Sequence, residues 1–332
     1  MKLRTIADGE IITEPGAYRM SIDWYHRQCC DGPSISSSGL RTIELRSPMD
    51  FWAFSDLNPD RWQRPETDAL SLGRAAHAIL LGEEAFEESF AVVPEDAPQR
   101  PTKPMLVAAS EGRISDAYTK RQAFWGPFDA ALNGRTIVSE EQIDQIVQMS
   151  AALGRHPLVG PLFQGDGEVS LIWRDEQTGV WLKARPDMIP AMGDVRADLK
   201  TIHDAALRAC LRHIREHGYH MQGALTDLGL EAITGEKPQG SWVLVFIQKT
   251  PPYHVTPIEI TEDALHWGAV RLRRAVNTFA RCMDTGDWPG PVEGIPKFDL
   301  AEWEVEQLGA EQKAGVLPHD FWTGFGAKGE AA

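Results

Sequence analysis

Two aspartates and a lysine crowd the stretch KARPDMIPAMGDVRADLKT, residues 183–201. Asp187 and Asp198 stand eleven residues apart, and Lys200 follows two places after the second. Carboxylates and an ammonium gathered on one sheet face are costly to desolvate, so something should offset that cost. A hard cation would. Mg²⁺ takes oxygen ligands and keeps several waters, so one or two carboxylates suffice. Asp187, Asp198 and the backbone carbonyl of Leu199 are the candidate donors. Such an ion polarises a phosphoryl oxygen and lowers the pKa of a bound water. Lys200 is placed to orient that water and to stabilise charge on the phosphoryl oxygens. The chemistry expected of this set is phosphodiester hydrolysis. The plain alternative is a solvated sheet face cross-linked by Asp, Arg and Lys. A [DE]-x-K triplet has little weight alone, because Glu311-Gln312-Lys313 matches it in a helical-looking tail with no strand or Pro-Asp before it.

The elements that must position these groups read as strands. EVSLIWR, GVWLKARPDMI and DVRADLKT each alternate, and the breaks DEQTG and PAMG have hairpin-turn chemistry, so a three-stranded meander is expected. Alternate side chains share a face. Asp194, Arg196, Asp198 and Lys200 fall on one face of the last strand, opposite Val195, Ala197 and Leu199. Lys183, Arg185 and Asp187 share a face of the middle strand, and Glu168 opens the first. In a meander, Glu168, Asp187, Asp198 and Lys200 can converge.

Around this sheet the pattern is mostly helical. Residues 1–34 read as irregular. SISSSGLRTIELR starts a helix capped by Ser36 or Ser37, and SPMDFWAFSDL starts another with Ser47 as cap and Pro48 at the first position. TDALSLGRAAHAILLGEEAFEESF is a helix with a break near Gly82. Residues 94–104 form a loop, and helices follow near 114–131 and 139–153. After the meander come helices at about 204–217 and 219–234, strands SWVLVFIQK and YHVTPIEI, and a helix over 261–285. The reading is a mixed α/β chain: an N-terminal segment 1–34, one domain over 35–288 with a helical part (35–160) and a sheet core (165–285), and a tail 289–332.

Composition sets outer limits. With 33 Lys and Arg against 48 Asp and Glu, net charge is −15. That argues against a broad nucleic-acid coating but leaves room for a local basic groove. No run of eighteen apolar residues and no apolar leader occurs, so no membrane span is expected and cytoplasmic residence is the default. The four cysteines form no C-x-x-C pair, which suggests neither a zinc ribbon nor an iron–sulfur cluster.

HIREH, residues 213–217, matches the inverted zinc-protease pattern H-x-x-E-H. A zinc metallopeptidase would use His213, His217 and Glu216. Gly218 follows at once, so His217 falls in a fraying last turn, and no third ligand is assigned.

Taken together, the motifs resemble the PD-(D/E)XK nuclease superfamily, and within it the RecE-type (exonuclease VIII-like) exonucleases of phages and prophages. SISSSGL, LGRAAHAILLGEEAFEESF, GEVSLIWRDEQTGVWLKARPDMI, ADLKT and YHMQGALTDLG carry the likeness, in order, across most of residues 20–260. The resemblance implies a nuclease core with a mixed central sheet flanked by helices and a helical N-terminal half. It implies Asp187 and Asp198 as metal ligands, Lys200 as the catalytic lysine, His77 as a histidine at the metal, and Glu168 as an outer or second-metal ligand. Tyr219 and Gln222 would line the site or contact DNA. It further implies Mg²⁺-dependent digestion of linear duplex DNA from its ends, with Mn²⁺ able to substitute, a ring-shaped homo-oligomer, and a RecT-type single-strand annealing partner. An endonuclease of the same fold is the alternative within it.

DNA contacts on so acidic a chain must be concentrated. Arg41, Arg46, Arg74 (three residues before His77) and the arginines of RLRRAVNTFAR are candidates. The helix start at Ser36–Ser38 could hold a terminal phosphate. Each has a plain reading too: a solvated helix face, an ordinary N-cap, a hydrogen-bonded border histidine at His77, and packing for Tyr219 and Gln222.

Overall fold

The computed structural model describes residues 2–63, 68–80, 86–163, 165–167, 169–190 and 195–316. Contacts divide the chain into two compact units, Met1–Pro291 and Val292–Ala332.

The first unit begins with regular structure where none was expected. Strands β1 (Leu3–Thr5) and β2 (Gly16–Arg19) pair in parallel, helix α1 (Ile22–His26) is capped by the Ser21 hydroxyl, and β3 (Ser34–Ser36) follows. Elements of three to five residues are too short to show a period. Burial holds the middle of this stretch: Ile12, Tyr18, Tyr25 and Cys29 pack with Ile172 and Trp181 from later in the chain.

The helices then run largely as the caps dictate. α2 (Ser37–Leu45) starts after Ser36, and α3 (Pro48–Trp52) has Pro48 in its first turn and the Ser47 hydroxyl accepting from the Asp50 N–H. α4 (Asp68–Leu80) carries His77, and the break expected near Gly82 lies outside the described residues. α5 (Phe86–Ser89) leads into β4 (Phe90–Val93). After α6 (Lys103–Ser110) and α7 (Asp116–Ala130), β5 (Thr136–Ser139) pairs in parallel with β4, a strand pair the sequence did not reveal. A capping box of Ser139 and Gln142 opens α8 (Glu140–Arg155).

The expected meander divides in two. Strand β6 (Gly165–Gly167) is followed by a hairpin of β7 (Ser170–Arg174) and β8 (Trp181–Ala184), which sits in a five-stranded sheet ordered β1-β2-β7-β8-β3. Strands β9 (Met188–Pro190) and β10 (Arg196–Ile202) belong to a second sheet. Two helices, α9 (Leu207–His217) and α10 (Tyr219–Thr234), separate β10 from β11 (Trp242–Gln248) and β12 (Val255–Ile260), and the order is β12-β11-β10-β9-β6. β10 and β11 run parallel over seven paired residues, Arg196↔Trp242 to Ile202↔Gln248, with the two helices as their crossover. The chain passes between the sheets at residues 185–187.

Sheet β10–β11 is covered on both faces. Leu199, Val245 and Ile247 pack with Ala75, Ile146 and Met149 of α4 and α8, while Trp242, Leu244 and Phe246 pack with Cys210 and Ile214 of α9. Helix α11 (Glu262–Thr285), capped by Thr261, packs Leu272, Val276 and Phe279 into a cluster with Leu171, Trp173 and Met221. Gly268 lets α11 approach α10 closely: a Cβ there would lie 2.6 Å from the His220 carbonyl oxygen. Gly218 has φ +62 and joins α9 to α10, a left-handed turn that glycine adopts without steric cost.

The second unit carries α12 (Glu302–Lys313) after a stretch without regular structure. No described helix is long and apolar enough to cross a membrane.

Candidate active site

Asp187 sits at the crossing between the sheets, one residue before β9. β9 pairs with β10 at Met188↔Ala197, so continuing that antiparallel register would set Pro186 opposite Leu199. Pro186 has no N–H to give the Leu199 carbonyl. The Leu199 N–H donates to the Asp187 side chain, at Oδ2 and 2.7 Å. In a strand, a residue's N–H and C=O point to the same edge. The Leu199 carbonyl therefore lies on the Asp187 edge of β10. The other Asp187 oxygen, Oδ1, is 3.5 Å from His77 Nδ1 on α4.

Asp198 and Lys200 project from the opposite face to Leu199, under α10. Asp198 is fully buried. Its Oδ1 accepts from Gln222 Nε2 at 2.6 Å, and its Oδ2 is ion-paired with Lys200 Nζ. Lys200 Nζ lies 5.1 Å from the Tyr219 ring centroid, and the Arg41 guanidinium carbon 5.3 Å from the same ring. The polar face of β10 is thus roofed by α10, not solvated as the plain alternative had it. Its far end is closed in the same way, by Arg196 paired with Asp227 at 2.7 Å.

Crowding shapes the ionisation. Burial and the neighbouring Asp187 charge push the Asp198 carboxyl up to about 6, against the pull of Lys200 and His77. Burial would raise Asp187 too, but His77, Lys200 and the Leu199 N–H hold it below the usual carboxylate range. Burial works against the Lys200 ammonium, and the two aspartates outweigh it and raise its pKa. His77 follows the same logic: Asp187 outweighs desolvation and favours the imidazolium.

These residues fit a hard divalent cation. The donors are carboxylate and carbonyl oxygens, the second carboxylate is held against a charge penalty that a cation would relieve, and Gln222 Oε1 is buried without a hydrogen-bond partner. Among the described residues no group of three or more His, Cys, Asp or Glu forms a ready-made cage, so such an ion would keep several waters, as Mg²⁺ does.

A family model described as a PDDEXK-like domain of unknown function matches residues 36–299. The chain belongs to this PDDEXK-like family. No curated protein matches it. A crystal structure of a candidate exonuclease from Eubacterium rectale superposes with a TM-score of 0.50 at 14% identity, covering 82% of this chain and 92% of that one. At that identity the likeness shows the fold, which is the PD-(D/E)XK core. In this PDDEXK-like protein, Pro186-Asp187 and Asp198-Leu199-Lys200 stand where the superfamily's name places them, and the superfamily generally works with divalent metal ions.

The other candidate residues of the PDDEXK-like protein distribute as follows. Glu168 lies outside the described residues; a Cβ on its neighbour Gly167 would be 3.7 Å from the Asp187 carbonyl oxygen. Tyr219 and Gln222 both reach the site, through Lys200 and Asp198. Arg41 joins it through the Tyr219 ring, while its Nη1 donates to the His217 carbonyl at 2.6 Å. Ser36 and Ser38 share a hydroxyl–hydroxyl hydrogen bond of 3.0 Å at the start of α2. Arg74 is exposed, with its guanidinium carbon 5.9 Å from the Phe90 ring centroid.

The HIREH and RLRRAVNTFAR stretches are engaged in other contacts. The HIREH histidines pack together with ring centroids 4.0 Å apart and planes tilted by 59°, Tyr219 stacks on His217, and Glu216 lies 3.8 Å from Arg212. Among the described residues no third His, Cys, Asp or Glu joins them in a metal-holding group. The arginines of RLRRAVNTFAR are not a bare DNA-binding row. Arg271 and Arg274 pair with Glu44, and Arg273 pairs with Asp175 at 2.7 Å. Lys183 falls by sequence on the polar face of its strand, with Arg185 and Asp187. It is buried, and its Nζ donates to the carbonyls of Tyr25 and Arg27, both at 2.7 Å, an acceptor pair with no side-chain signature.

Proposed function

We propose that this PDDEXK-like protein is a Mg²⁺-dependent deoxyribonuclease that digests linear duplex DNA from its ends, 5′ to 3′, leaving single strands for recombination. The observation that carries the reading is the meeting of Asp187, Asp198 and Lys200 from two segments of one sheet, with the acids fixed by the Leu199 N–H and the Gln222 amide. Asp187, Asp198 and the Leu199 carbonyl would hold the cation, with Mn²⁺ as a substitute, and Glu168 is retained as an outer ligand. The bound ion supplies Lewis-acid charge at the scissile phosphate.

The chain's own groups do the rest. Lys200 stays an ammonium at neutral pH, because its pKa is raised. It therefore acts as a hydrogen-bond donor and charge stabiliser at the phosphoryl oxygens and the attacking water, rather than as a base. Gln222 holds Asp198 from one side, and His77 holds Asp187 from the other. Arg41, Arg74 and the hydroxyls of Ser36 and Ser38 are the proposed contacts to the DNA backbone.

The sequence resemblance supports the finer parts of this reading: a cytoplasmic enzyme of the RecE type, a ring-shaped homo-oligomer around DNA ends, and a RecT-type annealing partner. The deciding assay compares linear with covalently closed duplex DNA, with Mg²⁺ and with chelator. Nucleotide release from the linear form alone, abolished by chelator, is expected. Cutting of closed circles would assign an endonuclease, and inertness toward both DNAs would end the nuclease reading.

A further inference from the structure

Cys29 and Cys30 are neighbours in the chain and both lie in the core, 0% and 6% exposed, with their Sγ atoms 4.0 Å apart. They stand between α1 and β3, where Ile12 bridges Cys30. Lys183 of β8 reaches the same spot. Its Nζ donates to the Tyr25 and Arg27 carbonyls, which leaves a third N–H for Cys29 Sγ at 4.0 Å. The Tyr25 ring centroid lies 5.3 Å from Nζ.

A buried ammonium is costly unless an anion or acceptors surround it. Among the described residues no carboxylate comes within ion-pairing distance of Lys183, and Asp56, the acid that acts on it, is paired with Arg61. Burial lowers the Lys183 pKa, and the Cys29 sulfur works against that. The support is mutual. The Cys30 hydrogen bond, helped against burial by the Lys183 charge, holds Cys29 below the usual thiol range. The same hydrogen bond, with burial, holds Cys30 above it. A thiolate against a cation, with a second thiol in contact, is the pairing that reacts with oxidants.

We propose that Cys29 and Cys30 form a peroxide-reactive site, in which Lys183 holds Cys29 as the attacking thiolate and Cys30 resolves the product. The Cys29 thiolate takes one oxygen from hydrogen peroxide. The O–O bond breaks, Cys29 becomes a sulfenic acid, and the departing hydroxide takes a proton to become water. The Cys30 sulfur then attacks the Cys29 sulfur, and the sulfenic hydroxyl leaves with the Cys30 proton as a second water. The two thiols together lose two electrons, and the peroxide gains them. Burial selects the oxidant: a small opening of these short elements admits a molecule of near-water size but not a peptide disulfide such as oxidised glutathione. Adjacent Cα atoms lie about 3.8 Å apart, under the roughly 4.4–6.8 Å usual for a disulfide, so the bond is strained and a dithiol reverses it. Oxidation removes the thiolate from beside Lys183, so the oxidised protein should melt lower.

The other two cysteines are an internal control. Cys210 and Cys282 are as deeply buried, 0% and 1% exposed, and burial raises both of their thiols. The test treats the folded full chain with hydrogen peroxide, alkylates the remaining thiols in denaturant, and follows each cysteine peptide by mass. The Cys29–Cys30 peptide should lose two hydrogens at least about ten-fold faster than Cys210 or Cys282 is oxidised, because the thiolate is the reacting form. Dithiothreitol should reverse the change, and oxidised glutathione should leave the pair untouched. Cys30→Ser should stop at a sulfenic acid that dimedone traps on Cys29. Lys183→Met should slow the reaction about ten-fold. Equal rates at all four cysteines overturn the proposal without any variant. So does a Cys30→Ser protein with no trapped adduct on Cys29, or an unchanged rate in folded Lys183→Met. Oxidation by glutathione disulfide as fast as by peroxide would overturn the choice of oxidant. The readout is mass rather than cleavage, so its outcome is independent of the nuclease assay.

Discussion

The Asp187 carboxylate accepts the Leu199 N–H at 2.7 Å, so the acid ahead of β9 is fastened to the strand that bears the other acid. This bond ties the first carboxylate to the backbone between Asp198 and Lys200. If that arrangement serves a cation, adding Mg²⁺ should stabilise the fold. At a hundred-fold excess over the dissociation constant the gain is about 2.7 kcal/mol. It should be read as a rise in Tm with Mg²⁺ and its reversal by chelator. Asp187→Asn should remove most of the rise, and an unchanged Mg²⁺ response in that variant would separate Asp187 from the metal.

Lys200 contributes charge, not shape. Lys200→Ala should lower the cleavage rate by about 10²–10³, the usual cost of losing a donor at a developing oxyanion. Circular dichroism should show the fold retained. Lys200→Arg keeps the charge but not the compact ammonium, and should recover little. Cleavage at the parent rate by Lys200→Ala would remove the lysine from the chemistry.

Tyr219 lies between two cations, with Lys200 at 5.1 Å and Arg41 at 5.3 Å from its ring centroid. A ring face steadies each cation by about 0.5–2 kcal/mol. Tyr219→Phe should therefore keep near-normal turnover, while Tyr219→Leu should lose several-fold. Equal losses in both would mean that the hydroxyl, not the ring, is what the site uses.

His213 provides a pH signature outside the acidic pair. Burial, followed by the nearby His217, pushes its pKa down to about 4 from 6.5. The folded state binds the proton less well than the unfolded chain, so this contribution is complete above about pH 6.5 and is lost as pH falls toward 4. Unfolding curves between pH 7 and 4.5 should show a smaller loss of stability in His213→Leu than in the parent. Parallel curves would contradict the assignment.

The Gly268 backbone meets α10 too closely for any side chain. Gly268→Ala forces a Cβ to 2.6 Å from the His220 carbonyl oxygen. Separating the helices should cost about 1–3 kcal/mol, as overpacking does, visible as a lower Tm. An unchanged Tm would show that the two helices are not seated as described.

Much of the site was readable because β10 alternates cleanly. Ala197 and Leu199 alternate with Asp198 and Lys200, and period two assigns them to opposite faces without further information. The cap at Ser47 and the turn at Gly218 were readable for equally local reasons. What escaped was non-local. The PAMG break suggested that the hairpin strands continue into one meander, but the long partner of β10 is β11, more than forty residues on. Strands β1 to β3 are too short to carry a period, and Tyr18 of β2 is buried against Ile172 and Trp181 far along the chain. The arginines of α11 looked available until Glu44 and Asp175, from remote elements, were brought against them.

The central claim is that the Asp187, Asp198 and Lys200 constellation cuts DNA with a divalent ion. Release of acid-soluble nucleotide from linear duplex DNA in Mg²⁺, by the parent and by Asp198→Ala, tests it most directly. The account predicts steady release by the parent and none above background by the variant, with both proteins folded. Equal release by the two, or none by either, would contradict it.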